Sequence, residues 1–433
     1  MRRWFCCCAV LAVLALPIRA DEANETVIQV TVSPMRAPKP ALRYTLLPEL
    51  KEMNPGNPIP NYLKILVDQE QSSQTESFSP AALRLADWAA RLDSPDWEIL
   101  PKLKTDGVGL LIPDVQKLRS LATGFQERFR SEVAQGRVED GLRTAKSMFA
   151  LARHLRTHPT LIGGLVGIAI AFVTIDPLEQ LIQQPNCPNL YWALTNLPRP
   201  FISLDKGMEG ERLLIQSEFK ELDYHTPMTP AQIAKLVRHI DLLLAMENRP
   251  HSTTRQWLDK HTQDKAQVQA ARARLVDFGL AEEQVARFPA DQVILLDDVR
   301  GYETYRDDFM KLMNLPDWEL DRLAVQIKRP KEPPLFDAFV PAILKVRHAQ
   351  GRLEQRIALL RHVEALRLYA ADHAGKLPAK LADVPVPLPH DPFTGKPFRY
   401  RLAGETAHLY GTPPRGEEKN AGYNIHYEIT IRK

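Results

Sequence analysis

Three groups of side chains stand at spacings that could do chemistry. His154 and His158 are four apart, the helical interval that brings two imidazoles to one zinc ion. No glutamate adjoins the first, Pro159 follows the second, and Arg153 and Arg156 add charge that opposes a cation. They are the metal candidates, but the pattern is better read as a helix C-terminus, where His and Arg complement the helix dipole. The second group is acidic: Asp297, Asp298, Glu303, Asp307 and Asp308 surround Gly301. Paired carboxylates can hold a divalent ion or act as general acid and base, which makes Asp297, Glu303 and Asp308 the catalytic candidates. Arg300 and Arg306 are interleaved with them, so a solvated, charge-balanced helix face is the expectation. The third is Cys187, between Asn186 and Pro188, with no helix start directly after it to lower its pKa. Tyr191, Trp192 and Phe201 could line a groove, but in a proline-rich loop they are expected to pin it to the core. No Gly-x-Ser-x-Gly elbow, phosphate loop or His-Glu-x-x-His motif occurs, and no cofactor is expected.

These residues need a framework, and the sequence outlines a helical one. Leu161 to Ile175 is fifteen residues without a charge, closed by His158-Pro159 and Asp176-Pro177. A bilayer crossing takes roughly 20 apolar residues, so the run predicts a buried helix with Gly163, Gly167 and Ala171 on one close-packing face and no membrane span in the mature chain. Asp176-Pro177-Leu178-Glu179 resembles a fresh helix start. Ahead of it, Val115, Leu118, Ala122, Phe125, Phe129 and Val133 recur at three and four. A second stripe follows the turn at Gly136: Leu142, Ala145, Phe149 and Ala152. Together they form an αα-hairpin that resembles a tetratricopeptide unit in shape. Ser79-Pro80 and Ser94-Pro95 predict helices near 80–92 and 95–104. Thr229 to Gln232 reads as a capping box, 252–278 as one long polar helix and 281–288 as another, and 292–312 is apolar enough at one edge to pack. Pro95-Asp96-Trp97-Glu98 recurs as Pro316-Asp317-Trp318-Glu319, read as two similar helix starts.

Residues 1–20 read as a signal peptide: Arg2 and Arg3, an apolar stretch to Leu16, then a cleavage site ending at Ala20. Its loss would lower Lys+Arg from 56 to 53, equal to the 53 Asp+Glu, because Arg2, Arg3 and Arg19 go. A neutral mature chain offers no electrostatic case for nucleic acid. Cys6, Cys7 and Cys8 would leave too, so no intrachain disulfide is expected. The expected order is then a Pro-rich extended lead-in over 21–61, a helical domain over 62–328, a linker over 329–340, and a module over 341–433. That module pairs one helix from Pro341 to about His373 with an antiparallel sheet, whose last strand alternates Ile425, Tyr427, Ile429 and Ile431 with His426, Glu428 and Thr430. The fold class is mainly α: an irregular helical-hairpin array around a buried apolar helix, with a small C-terminal α+β module.

Two stretches resemble known families. Glu364 to Pro378, followed by Asp391-Pro392-Phe393-Thr394-Gly395-Lys396-Pro397, is similar to the globular part of type II secretion major pseudopilins, which implies a helix meeting an Asp-Pro loop and a small sheet. Calcium binding, a property of that class, is not implied, since 411–418 lacks the aspartates. Leu142 to Arg199 resembles a large family of exported, uncharacterised planctomycete-type bacterial proteins, which brings no activity. The leading expectation is an exported (periplasmic or secreted) non-catalytic interaction protein with a protein partner in the cell envelope. The alternatives are a hydrolase of an envelope polymer using the acidic cluster, and an accessory of a pseudopilin-like secretion assembly.

Overall fold

The computed structural model describes residues 25–71, 78–107, 110, 112–246, 254–328, 335 and 341–432. The expected signal peptide and nearly all of the expected linker lie outside the described residues. Within them, fifteen α-helices precede or flank one four-stranded sheet, so the fold is mainly α with a small α+β module at the C-terminus.

Helices α1 (Ile59–Gln71) and α2 (Pro80–Ala89) open the body. Ser79 caps α2 as its Ser-Pro pair predicts, accepting from the Ala82 amide at 3.1 Å. The second Ser-Pro pair starts no helix. Trp97 is drawn against His158, Glu98 takes φ +49°, and α3 begins only at Leu100, running to Asp106. The predicted hairpin is present as α4 (Pro113–Ala134) and α5 (Val138–His154). Gly136 turns it at φ +68° with open space around it, so conformation rather than crowding favours glycine there.

Helix α6 (Leu161–Leu181) lies against both arms of the hairpin and is buried on nearly every side. Its length and composition would suffice to cross a membrane, yet neighbouring helices cover most of it. A Cβ on Gly167 would stand 3.0 Å from the Ala152 carbonyl oxygen, which explains the small residue. The expected break at Asp176-Pro177 does not occur; α6 continues through it. Proline cannot donate to the carbonyl four residues back, here that of Val173. The Gln126 side chain of α4 fills that gap, donating from Nε2 to Val173 O at 3.0 Å. The helix therefore survives its proline because a neighbour satisfies the orphaned acceptor.

Short α7 (Tyr191–Thr195) and then α8 (Asp205–Glu218) return across the start of α6. The next helices are α9 (Pro230–Met246), α10 (Thr254–Gln263), α11 (Lys265–Asp277), α12 (Glu282–Arg287) and α13 (Ala290–Met310). Apolar residues of α8 to α13 form a second buried cluster. Thr229 and Gln232 make the predicted capping box. The single helix expected over 252–278 is two, because Asp264 stops one and caps the next through the Ala266 and Gln267 amides.

After α14 (Asp317–Ala324), α15 (Pro341–Asp372) runs 32 residues, about 48 Å at 1.5 Å each. It packs on α6 and α7 and reaches the sheet. The strands are β1 (Thr26–Val32), β2 (Arg399–Ala403), β3 (Thr406–Tyr410) and β4 (Ile425–Ile431), in spatial order β1-β4-β3-β2. The three C-terminal strands are antiparallel as expected, but the sheet is mixed. β1 comes from the lead-in and pairs parallel to β4, with Val27 opposite His426 and Ile429 opposite Val30. Buried Val30 and Val32 explain why that end of the chain leaves solvent.

Candidate functional site

His154 closes α5, and Leu155–Thr157 form a 3-10 turn, so His158 no longer shares a helix face with it. The four-residue spacing therefore fails to bring the rings to one point. His154 Nδ1 meets the Tyr62 hydroxyl at 3.1 Å, while His158 Nδ1 meets Thr160 Oγ1 at 2.9 Å and its ring lies edge-on to Trp97. Burial pulls both imidazoles down to about 4, so they are neutral wedges of the core.

The acidic candidates all lie on α13, and each has its own partner. Asp297 is held bidentate by Arg274 at 2.8 and 2.6 Å, Glu303 by Arg300 at 2.9 Å, and Asp308 by Lys311 at 2.5 Å. Asp307 meets Arg306, and Asp298 accepts the Leu335 amide. On one straight helix Asp297 and Asp308 are separated by about 16 Å along the axis, and Glu303 projects roughly 120° round from both. Two carboxyls cleaving a glycosidic bond stand about 5–9.5 Å apart, facing one substrate. A cavity of about 350 Å³ does include Glu303, with Arg300, Tyr224 and Lys220, but neither Asp297 nor Asp308 nor any histidine lines it.

Cys187 is buried, and its thiol is pushed up to about 12 by burial and by the nearby Glu364 carboxylate. A protonated thiol is no nucleophile. The loop aromatics pin as expected. Tyr191 donates to Pro387 O, Trp192 is edge-on to Tyr191, and Phe201 is edge-on to Phe149.

What the sequence hid is a line of polar groups along α15 that are satisfied by the rest of the chain. Glu354 accepts the Phe201 amide at 2.7 Å, and Gln350 donates to Ile202 O. Arg356 holds Glu179 of α6 bidentate at 2.8 and 2.9 Å, and Tyr427 of β4 donates to the same carboxylate. Glu364 and Arg367 form a fully buried pair at 2.8 Å. The first accepts the Leu190 amide, and the second donates to Ser33 O and Cys187 O. Gln355 reaches Asp391, whose carboxylate also accepts the Phe393 and Thr412 amides. The Asp391-Pro392-Phe393 loop is thus folded by its own aspartate. No periodicity reveals such partners, which lie up to 334 residues away.

Two further open clefts are present. One of about 700 Å³ lies at the sheet edge between Pro34, Gly375, Leu377 and Arg432, and one of about 330 Å³ surrounds Trp97 and Lys206. On the outer face of the sheet, His408 and His426 touch at 3.0 Å (Nδ1 to Nε2), with Glu428 Oε1 3.7 Å from His408 Nδ1. This is the cluster of potential metal ligands found among the described residues. Alternation places His426 and Glu428 on one face in the sequence; joining them to His408 requires the β3–β4 register. Comparison of the chain with protein-family models, with curated proteins and with solved structures finds no match in any of the three.

Proposed function

We propose that this chain is an exported, non-catalytic helical interaction protein that meets a protein partner in the cell envelope. The observation that carries the reading is the fate of Asp297, Glu303 and Asp308. Each is neutralised by its own cation, and their helix holds Asp297 and Asp308 about 16 Å apart along its axis with Glu303 on a different side, instead of facing them into one cleft. An acid–base hydrolase needs the opposite arrangement, two carboxyls with different protonation states facing one bond. The secretion-accessory alternative rests on the order long helix, Asp391 loop, sheet; much of α15 is already engaged within the chain, which leaves the outer sheet surface for any such docking.

The test is one protein assayed in two ways. The whole chain and its Asp297→Asn/Glu303→Gln/Asp308→Asn variant are crosslinked in envelope extracts and incubated with purified envelope polymer. The same crosslinked partner is expected from both, with no soluble product from either. Polymer breakdown by the parent that the triple substitution abolishes would replace this reading with the hydrolase.

A further inference from the structure

The sheet turns one face to the helices, where Ala407, Leu409, Tyr427 and Ile429 are buried. Strand alternation turns His408 and Tyr410 of β3, and His426 and Glu428 of β4, to the other face. In register, His408 stands opposite Glu428 and Tyr410 opposite His426, so the two imidazoles meet on the diagonal. His408 Nδ1, His426 Nε2 and one Glu428 oxygen all lie within 4.8 Å of one another. Ligand atoms bonded at about 2.0–2.1 Å to a tetrahedral zinc are roughly 3.4 Å apart. Two of the three separations, 3.0 and 3.7 Å, fall on either side of that value, and the third lies within 4.8 Å. We infer that His408, His426 and Glu428 bind one divalent transition-metal ion of the zinc class, leaving a fourth position open to solvent.

The surroundings serve a ligand set better than they serve a plain hydrogen-bonded pair. Glu428 Oε2 is held by Gln29 Nε2 of β1 at 3.0 Å, which turns Oε1 toward the imidazoles. His426 Nδ1 is buried without a hydrogen-bond partner, and the nearest carboxylate oxygen is Glu25 Oε1 at 3.5 Å. A small closure gives the carboxylate–imidazole–metal relay that fixes ring orientation and raises ligand basicity. Tyr410 stacks on His426 at 4.2 Å between centroids and keeps the ring upright. Two cations share this face, Arg401 opposite His408 and Arg399 over the Tyr410 ring, and the carboxylates of Glu25 and Glu428 match them in number. Two imidazoles and a carboxylate are a borderline-soft donor set that favours zinc over calcium or magnesium. Because Gln29 lies on β1 and Glu25 directly precedes it, metal binding would also fasten β1 to β4.

Zinc chloride titrated calorimetrically into the whole chain tests this, with Cys6, Cys7 and Cys8 changed to Ser in every sample so that leader thiols contribute nothing. One equivalent is expected. His408→Gln or His426→Gln should weaken binding by about 100-fold or more, and Glu25→Gln by about 10- to 100-fold. His373→Gln, outside the cluster, should change nothing. Binding that is absent, or that persists undiminished in the His408→Gln/His426→Gln double variant, would overturn the site. Should the variants lose their fold, cobalt(II) bound to the unaltered chain decides. Intense four-coordinate visible absorption is expected, and only the weak spectrum of an octahedral aqua ion would overturn the inference.

Discussion

Glu354 shows how a charged side chain becomes part of the architecture. It is half-buried beside the loop at Phe201, and desolvation pushes its carboxyl up to about 7 even though it accepts the Phe201 amide. The folded state thus holds the proton more tightly than the unfolded chain, whose carboxyl titrates near 4.5. This contribution to stability is complete below about pH 4.5 and is lost as pH rises through about 7. Glu354→Gln keeps an acceptor for Phe201 and cannot ionise. Urea unfolding at pH 4.5, 6, 8 and 9 should show the variant gaining on the parent from 4.5 to 6 and from 6 to 8, with no further gain from 8 to 9. A pH-independent difference would refute the assignment. His154, His158 and His362 run the other way: burial lowers each to about 4, so each withdraws stability as pH falls from 6.5 toward 4. Sequence reading found the titratable residues at 154, 158 and 297–308 and foresaw neutralisation by Arg300 and Arg306. Arg274 and the polar ladder of α15 were not foreseen, because partners on other elements, 23 residues away for Arg274 and up to 334 for the ladder, leave no trace in local spacing.

At the scale of elements, local rules worked where local chemistry decides. Ser79 and the Thr229–Gln232 box cap helices as written, the Gly136 turn joins α4 to α5, and alternation marks β4. They failed where a tertiary partner overrides them. Pro177 should end a helix, and Gln126 keeps it going; Ser94-Pro95 should start one, and Trp97 is pulled away. The first case is quantitative. Gln126→Ala leaves the Val173 carbonyl without its donor and should cost about 1–3 kcal/mol. In a Pro177→Ala background the restored backbone amide supplies that donor, and the cost of Gln126→Ala should fall to a few tenths of a kcal/mol. Equal costs in the two backgrounds, measured as a double-mutant cycle in urea, would show that the glutamine does not support the helix through this bond.

For the whole molecule, the buried apolar residues form two clusters, and they divide the chain differently from the order of segments along it. One joins β1, α1, α2, α4 to α7, α15 and the sheet; the other gathers residues from Ile215 to Phe309. The long helix, expected to belong with the C-terminal sheet alone, is also the spine of the N-terminal body, tied to it through Arg356–Glu179, Glu364–Leu190 and Arg367–Ser33. Pro330, Pro333 and Pro334 suggested a linker with a module after it, and local spacing does not show which body the helix that follows is buried against. Such joint burial makes one cooperative unit, and cooperative units exchange amide protons together. Native-state hydrogen exchange on the whole chain tests this most directly. The amides of residues 353–368 should exchange with those of 165–175 in one slowest-opening unit, while those of 265–296 open at lower free energy. If 353–368 and the sheet instead opened together well before 165–175, the long helix would belong to a separate module, and its buried charges would not be what holds the chain together.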